Sequence, residues 1–389
     1  MKVLHTIEGM EARYGGIATC TFDLLKSLQG PDRDVRLMTF APKEKDASIL
    51  GMGEGWIKTV ANDGFGPFNY SRNVIDALET DNSDVLHVNG LWQHICHATC
   101  AHARKARRPY VITPHGMLYQ TALKRSYWKK WPLMRLWFNK DILGASCIHV
   151  TCEEEMRNVR MFGYRGPVAI VGNPANILDY VDDILNARVS GVSGENEKRQ
   201  LLFGFLGRLH PIKRIENIIA GMALRPELPT RLAVIGSGDA AYEAFLHSEA
   251  ERLGMADRVD FLGFVSGREK YEQLRRLSTL FVPSDMENFG MIIPEAFLVG
   301  TPVMASLGTP WKDLNDHNCG WWVDNSPESI AKVIDDIASK SPAELLEMGM
   351  RGRQLVIDRY HPSKVADKML QLYEWLLGKG PKPEFVYES

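Results

Sequence analysis

"LLFGFLGRLHPIKRIENIIAGMALRPELPTRLAVIGSG", residues 201–238, decides the fold. It opens on a short apolar run and turns through Gly207 and Arg208. It then carries apolar residues at helical spacing in "IENIIAGMAL" and closes on a second apolar run ending in Gly236 and Gly238. A short apolar run, an amphipathic segment and another short apolar run make a strand, a helix and a second strand parallel to the first. A chain built of such units forms a parallel sheet covered by helices on both faces.

The same alternation extends both ways. Upstream, "KVLHTI", "DVRLMTF", "DVLHVNG", "PYVITPHG", "SCIHVT" and "PVAIVGN" read as strands. Between them "IATCTFDLLKSL", "ICHATCAHARKA", "WKKWPLMRLWFNKDI" and "CEEEMRNVRMFG" read as helices. Downstream come the strands "RVDFLGF", "TLFVPS" and "TPVMAS" and the helix "AYEAFLHSEAERLG". After "VGNPAN" the pattern lapses, and the polar "SGVSGENEKRQ" reads as a linker. The expectation is α/β: two Rossmann-like, doubly wound parallel-sheet domains in series, facing a cleft. The first domain covers 1–176 and the second 177–361. The amphipathic tail "HPSKVADKMLQLYEWLLGKG", with no strand expected after it, gives a helix at about 362–380 assigned to the first domain.

Composition narrows the function. The 389 residues are 45% hydrophobic and 24% charged with a net charge of −2, so there is no basic field to gather nucleic acid. No apolar run reaches the roughly 18–20 residues of a membrane span. The start "MKVLHTIEGM" reads as a strand rather than a leader, and a cytoplasmic location is expected. The six cysteines make no CxxC pair. His94, Cys96, His97, Cys100 and His102 crowd "HICHATCAH", but on a helix they point around the circumference, which favours a half-buried helix over a zinc site. Asp32–Arg33–Asp34 reads as a turn before a strand rather than a metal-binding D-x-D.

In open α/β sheets ligands bind beyond the carboxyl ends of the strands, and the informative residues lie there. Arg208 and Lys213 follow the strand at 201. Such cations suit a diphosphate, and equally a solvated turn. Gly15 and Gly16 precede a helix, and Gly236 closes a tight turn; each lets backbone approach a ligand or simply turns the chain. His115 ends the strand "PYVITPHG", where a histidine can hydrogen-bond a reacting group. In "SDMENFGMIIPEA", residues 284–296, Gly290 and Pro294 break any continuous helix. Glu287 is then expected in a loop, Gly290 at a helix entrance and Glu295 one turn in.

Taken in order, "GFLGRLHPIKRIENIIAGMA", "RLAVIGSGDAAYE", "RVDFLGFVSG", "FVPSDMENFGMIIPEAFLVGTPVMAS" and "NCGWWVDN" resemble the family 4 glycosyltransferases, with the pair Glu287–x7–Glu295 the most specific element. "YGG", "TPHGML" and "VGNP" extend the likeness, more loosely, to the first half and to a branch making bacterial cell-surface polysaccharides. Two departures stand out: Arg214 replaces a usual glycine, and "VGNPAN" lacks the usual "NG". The resemblance implies the GT-B fold and retaining transfer of a hexose from a nucleotide-sugar. UDP-glucose is the first expectation and GDP-mannose the second, on the family's frequency alone. It implies that the amides of Asn288, Phe289, Gly290 and Met291 meet the diphosphate and sugar, that Glu287 holds the hexose and that Glu295 binds the ribose. Arg208 and Lys213 would neutralise the departing phosphate, with neither metal nor cofactor. His115 would contact the donor from the other domain, and base recognition would fall near Phe264 and Val265.

The acceptor is expected to be a soluble or polyprenyl-linked glycan. Residues 122–140, "ALKRSYWKKWPLMRLWFNK", interleave basic and aromatic residues without an acid, which suits either an anionic membrane surface or a packed edge of the first domain. Two rival functions remain. An NAD(P)-dependent oxidoreductase would need the full G-x-G-x-x-G that "GSGDAA" lacks, and a non-catalytic nucleotide-sugar-binding partner would separate only by assay.

Overall fold

The computed structural model describes residues 1–11, 15–42, 48–66, 68–124, 131–191 and 200–388. The chain divides into two compact units, Met1–Pro174 with Pro362–Ser389, and Ala175–His361.

The first unit holds strands β1 (Lys2–Ile7), β2 (Asp34–Phe40), β3 (Ile57–Val60), β4 (Val85–Asn89), β5 (Tyr110–Thr113), β6 (Cys147–Val150) and β7 (Val168–Ile170). The second holds β8 (Leu201–Leu206), β9 (Thr230–Ile235), β10 (Val259–Gly263), β11 (Thr279–Val282), β12 (Val303–Ser306) and β13 (Gly320–Val323). A last strand, β14 (Val386–Tyr387), rejoins the first unit. The first sheet runs β14-β7-β6-β5-β4-β1-β2-β3 and the second β10-β9-β8-β11-β12-β13. All pairings are parallel except that of β14 with β7. In each sheet the order reverses beside the first strand, between β1 and β4 and between β8 and β11, and a crevice opens at such a reversal.

The doubly wound reading therefore stands, with additions. The edge strand β3 escapes sequence reading because Lys58 and Thr59 face solvent and leave no alternation to detect. Helix α1 spans Gly15–Leu28, and α3 spans His94–Ala106. Between them α2 (Arg72–Glu79), unread in the sequence, starts at Ser71, whose side chain accepts from the Val74 amide, and it buries only Val74 and Leu78. Within the apparent lapse after "VGNPAN" lies a helix, Val181–Ser190, burying Val181, Ile184 and Leu185. The linker expectation falls mostly on residues 192–199, outside the described residues.

The tail needs one correction. The helix Pro362–Leu376 forms, but a strand does follow it: β14 pairs antiparallel with β7, Val386 opposite Ala169. The helix buries Val365, Ala366, Met369, Leu372 and Tyr373 in one cluster with Leu24, Leu25 and Leu28 of α1. Full burial of one such side chain stabilises by about 1.5–3 kcal/mol.

Polar atoms thread the middle of the first sheet. His149 Nε2 lies 2.8 Å from the Val171 carbonyl, which can only accept, so the proton sits on Nε2 and Nδ1 accepts from the Thr113 hydroxyl at 2.8 Å. Thr113 then accepts from His87 Nε2 at 2.6 Å, and His87 Nδ1 accepts from the Tyr373 hydroxyl at 2.7 Å. Tyr373 accepts from His5 Nε2 at 2.9 Å, leaving His5 Nδ1 to accept from the Asn89 amide at 3.3 Å. Every bond points the same way and every ring is neutral. Burial pushes His5 down to about 3, His149 down to about 4 and His87 well below its ordinary value. Tyr373 thus ties the returning helix to β1 and β4 by hydrogen bonds as well as by packing.

Candidate active site

The second unit assembles the charged residues. β8 and β11 are neighbours, with Thr279 opposite Phe203, and their carboxyl ends lie at the strand-order reversal. Beyond β8 the chain passes Arg208 and enters a 3₁₀ turn, Pro211–Lys213, capped by His210, whose Nδ1 accepts from the Ile212 amide at 3.2 Å. Beyond β11 the loop is tied down twice. The Asp285 amide donates to the Ile212 carbonyl at 2.8 Å, and the Glu287 amide donates to the Gly308 carbonyl at 2.9 Å. Gly308 can carry no side chain, because a Cβ there would stand 2.2 Å from the Asp285 oxygen.

These ties bring Lys213 Nζ against Glu287 Oε1, which also accepts from the Ser284 hydroxyl at 2.9 Å. Gly290 has φ +76, the left-handed region, and nothing crowds the position of a Cβ closer than 3.4 Å; glycine is needed there for the turn and not for space. The helix Ile292–Leu298 follows with Pro294 and Glu295 in its first turn, the arrangement expected from the sequence. Asn288, Gly290 and Met291 line the entrance half-buried. The Phe289 ring is buried between Trp311 and Tyr360, at 5.5 and 5.2 Å, and its carbonyl accepts from Trp311 Nε1 at 2.5 Å. Phe289 is therefore a wedge that sets the backbone of the turn.

Lys270, on the helix Gly267–Arg276, meets Glu295 Oε1 at 2.6 Å and lies 4.9 Å from the Tyr271 ring centre. The site so holds two acid–base pairs, Lys213 with Glu287 and Lys270 with Glu295, while Arg208 is exposed without an ion pair among the described residues. Sequence reading did not pick Lys270 or Ser284. "GREKYEQLRR" is charged on every side, and only the fold selects which of its bases faces Glu295.

The remaining second-unit candidates separate. Phe264 is 74% exposed, a free aromatic face next to half-buried Val265. Gly236, at φ +142, is accounted for within the fold, since a Cβ there would stand 1.9 Å from the Gly207 oxygen. What approaches this turn is the neighbouring strand end, which weakens the dinucleotide reading further. Arg214 adopts φ +52, which explains why glycine suits the position; its guanidinium pairs with Asp285 at 2.8 Å.

In the first unit Gly15, at φ +57, and Gly16 begin α1 exposed, with open space beside both. His115 follows β5 at φ +49, and its Nε2 is shielded from solvent without a hydrogen-bond partner among the described residues. Burial, then the nearby His149, pushes it down to about 3, so it is neutral at pH 7. Its turn is held by Glu155, a fully buried carboxylate missed in the sequence, which accepts from the Gly116 amide at 2.5 Å and the Thr151 amide at 2.9 Å. The run "EEE" signals a helix start, but does not say which glutamate turns inward.

The histidine–cysteine cluster disperses as expected: Cys96 and Cys100 enter the core, His97 pairs with Asp141 at 2.8 Å and His94 accepts from the Ser71 amide at 3.2 Å. Of the basic–aromatic segment, residues 125–130 lie outside the described residues. Among those described, no helix is long and apolar enough to cross a membrane.

Two family models match in tandem, "Glycosyl transferase 4-like domain" over residues 15–174 and "Glycosyl transferases group 1" over 190–372. The chain belongs to the family 4-type GT-B glycosyltransferases. An uncharacterised glycosyltransferase from Methanocaldococcus jannaschii is 25% identical over 76% of each chain. A D-inositol 3-phosphate glycosyltransferase from Stackebrandtia nassauensis is 35% identical over 36% of this chain and 34% of its own length. Two solved structures share the fold at 20% identity. Anabaena HepE, solved with UDP and glucose, has a TM-score of 0.73 and covers 96% of this glycosyltransferase and 100% of HepE. Sucrose-phosphate synthase from Thermosynechococcus elongatus has a TM-score of 0.74, covering 97% and 100%. The oxidoreductase alternative gives way to the family match.

Proposed function

We propose that this glycosyltransferase moves a hexose, with UDP-glucose as first-choice donor, to a glycan or lipid-linked glycan acceptor with retention at the anomeric carbon. The observation that carries it is the Lys213–Glu287 pair at the loop that leads into the helix Ile292–Leu298, with exposed Arg208, which has no ion pair among the described residues, following β8. HepE was solved with UDP-glucose, and WaaG, another structural neighbour at 16% identity, is described as acting in lipopolysaccharide biosynthesis.

A diphosphate entering this site gives Lys213 a second anionic partner and releases one Glu287 oxygen to accept from a sugar hydroxyl. Arg208 grips the terminal phosphate. Lys270 holds Glu295 so that its second oxygen can accept from ribose hydroxyls, and Phe264 offers its face to the base. As the anomeric C–O bond breaks, the electron pair leaves with the nucleoside diphosphate, where fixed cations and helix-entrance N–H groups stabilise it. The acceptor oxygen bonds the anomeric carbon on the vacated face, and its proton passes to the departing phosphate oxygen. No metal is assigned a role. Contact with an anionic membrane surface through 122–140 completes the proposal, the enzyme otherwise working in the cytoplasm.

The test is UDP release from a panel of nucleotide-sugars with extracted glycolipid or oligosaccharide acceptors, with and without chelator. Lys213→Ala and Glu287→Ala should each lower turnover about 10²–10³-fold. Native rates in both variants, or loss of activity on chelation, would overturn the mechanism. Donor binding without any UDP release would instead identify a non-catalytic binding partner.

A further inference from the structure

A cavity of about 420 Å³ lies in the first unit between α2, α3 and the π-turn Met134–Phe138, a size typical of small-ligand sites, roughly 300–1,000 Å³. Its walls are mostly apolar and aromatic, with Phe68, Tyr70, Ile75, Leu78, Ala101 and Trp137 prominent. Phe68 stacks on Trp137 with ring centres 5.0 Å apart and planes 10° from parallel. Of the polar members, His102 has its Nε2 shielded without a hydrogen-bond partner among the described residues. His94 is held to about 4 by burial and stays neutral, and His97 is engaged by Asp141. Charge stands at one end of α2 and α3, where Glu79 and Lys105 are exposed.

The surface beside the cavity is the reverse of an ordinary solvent face. Trp131, Leu136 and Leu143 are exposed at 45, 65 and 52%, and the charges exposed among them, Arg135 and Lys140, are both basic. The one acid of that segment, Asp141, is buried beneath Arg104 and His97. Exposed apolar side chains interspersed with cations are what an interfacial element presents to anionic lipid. Phe65 and Tyr70, exposed ahead of α2, extend the apolar surface.

We propose that this cavity takes one straight acyl chain of an anionic phospholipid drawn from the membrane leaflet, with Arg135 and Lys140 against the headgroups. The stacked rings receive the chain and the basic, apolar face brings it there. This occupancy seats α3 and the π-turn on the bilayer, a contact distinct from the donor site of the second unit. The proposal rests on the membrane-surface reading of residues 122–140, and its test separates the two.

Decyl phosphate below its micellar concentration probes the cavity with no bilayer present; vesicles of phosphatidylglycerol, against phosphatidylcholine, probe the surface. Decyl phosphate should raise the Tm of the native enzyme, inorganic phosphate should not, and Ala101→Phe and Ile75→Trp, which fill the cavity from opposite helices, should each bind decyl phosphate at least about tenfold more weakly. Both variants should keep native UDP release from the donor, which shows that they fold. Sedimentation with phosphatidylglycerol vesicles should fall in Arg135→Glu/Lys140→Glu. Native sedimentation without decyl phosphate binding would overturn the cavity proposal and leave the surface reading standing; loss of both overturns both. Tighter binding of farnesyl phosphate than of decyl phosphate would overturn the acyl assignment in favour of an isoprenyl chain. Self-association of the native chain abolished by the filling variants would assign the cavity to a second copy instead.

Discussion

In both units the first strand is flanked by the second and the fourth, yet the two sheets bury different chemistry. The first carries His5, His87, His149, Asn89 and Thr113 at its centre, all buried. The second packs Phe203, Phe205, Val234, Phe281 and Met304 there and carries the Lys213–Glu287 pair beyond the strand ends. One topology therefore tolerates a polar interior in which the histidines are bonded to one another's neighbours. The first unit gains a directional chain of bonds, and the second keeps an apolar platform under charged side chains that a ligand can rearrange.

Acid should break this symmetry most strongly. His149 sits near 4 and His5 near 3 against an ordinary 6.5, so below pH 6.5 the unfolded chain takes up protons that the folded first unit refuses. The stabilisation is complete above pH 6.5 and drains as pH falls toward 4 and 3, by about 3 kcal/mol for His149 alone. Hydrogen exchange at pH 7 and pH 5 should show protection falling in β1, β4, β5 and β6 and holding in β8–β12. Equal losses in both units would contradict the contrast.

Tyr373→Phe sharpens the same comparison with one oxygen. It strands the His5 donor and the His87 acceptor in the core, and should cost about 1–3 kcal/mol in urea unfolding, with the helix Pro362–Leu376 exchanging fastest. An unmoved urea midpoint would reduce the chain of bonds to decoration. Arg214→Gly tests the second unit at the small end. It relieves left-handed strain of about 1–2 kcal/mol, loses a half-exposed ion pair worth about 0.2–1 kcal/mol and loosens the unfolded chain, so stability should move by less than about 1 kcal/mol. A larger drop would make the Asp285 contact a main support of the loop carrying Glu287.

What the sequence disclosed follows this division. The second-unit turn was legible because Gly290 and Pro294 constrain backbone locally, which placed Glu287 in a loop and Glu295 in the helix before any tertiary contact was known. Lys270 was not legible, since its pairing with Glu295 depends on how two helices pack. The histidines of β1, β4 and β6 were hidden by their strands: each stands in an apolar run and reads as an interruption, and only the register that aligns His5 with His87 shows that they serve one another. β14 escaped because a two-residue strand has no pattern of its own.

The return of the last helix also sets an order of assembly. On the ribosome, the residues of the second unit are all available once His361 has emerged, while the first unit still lacks Tyr373 and β14. The half begun first is finished last, and a nascent chain stalled before residue 362 would expose the α1 face that the returning helix covers.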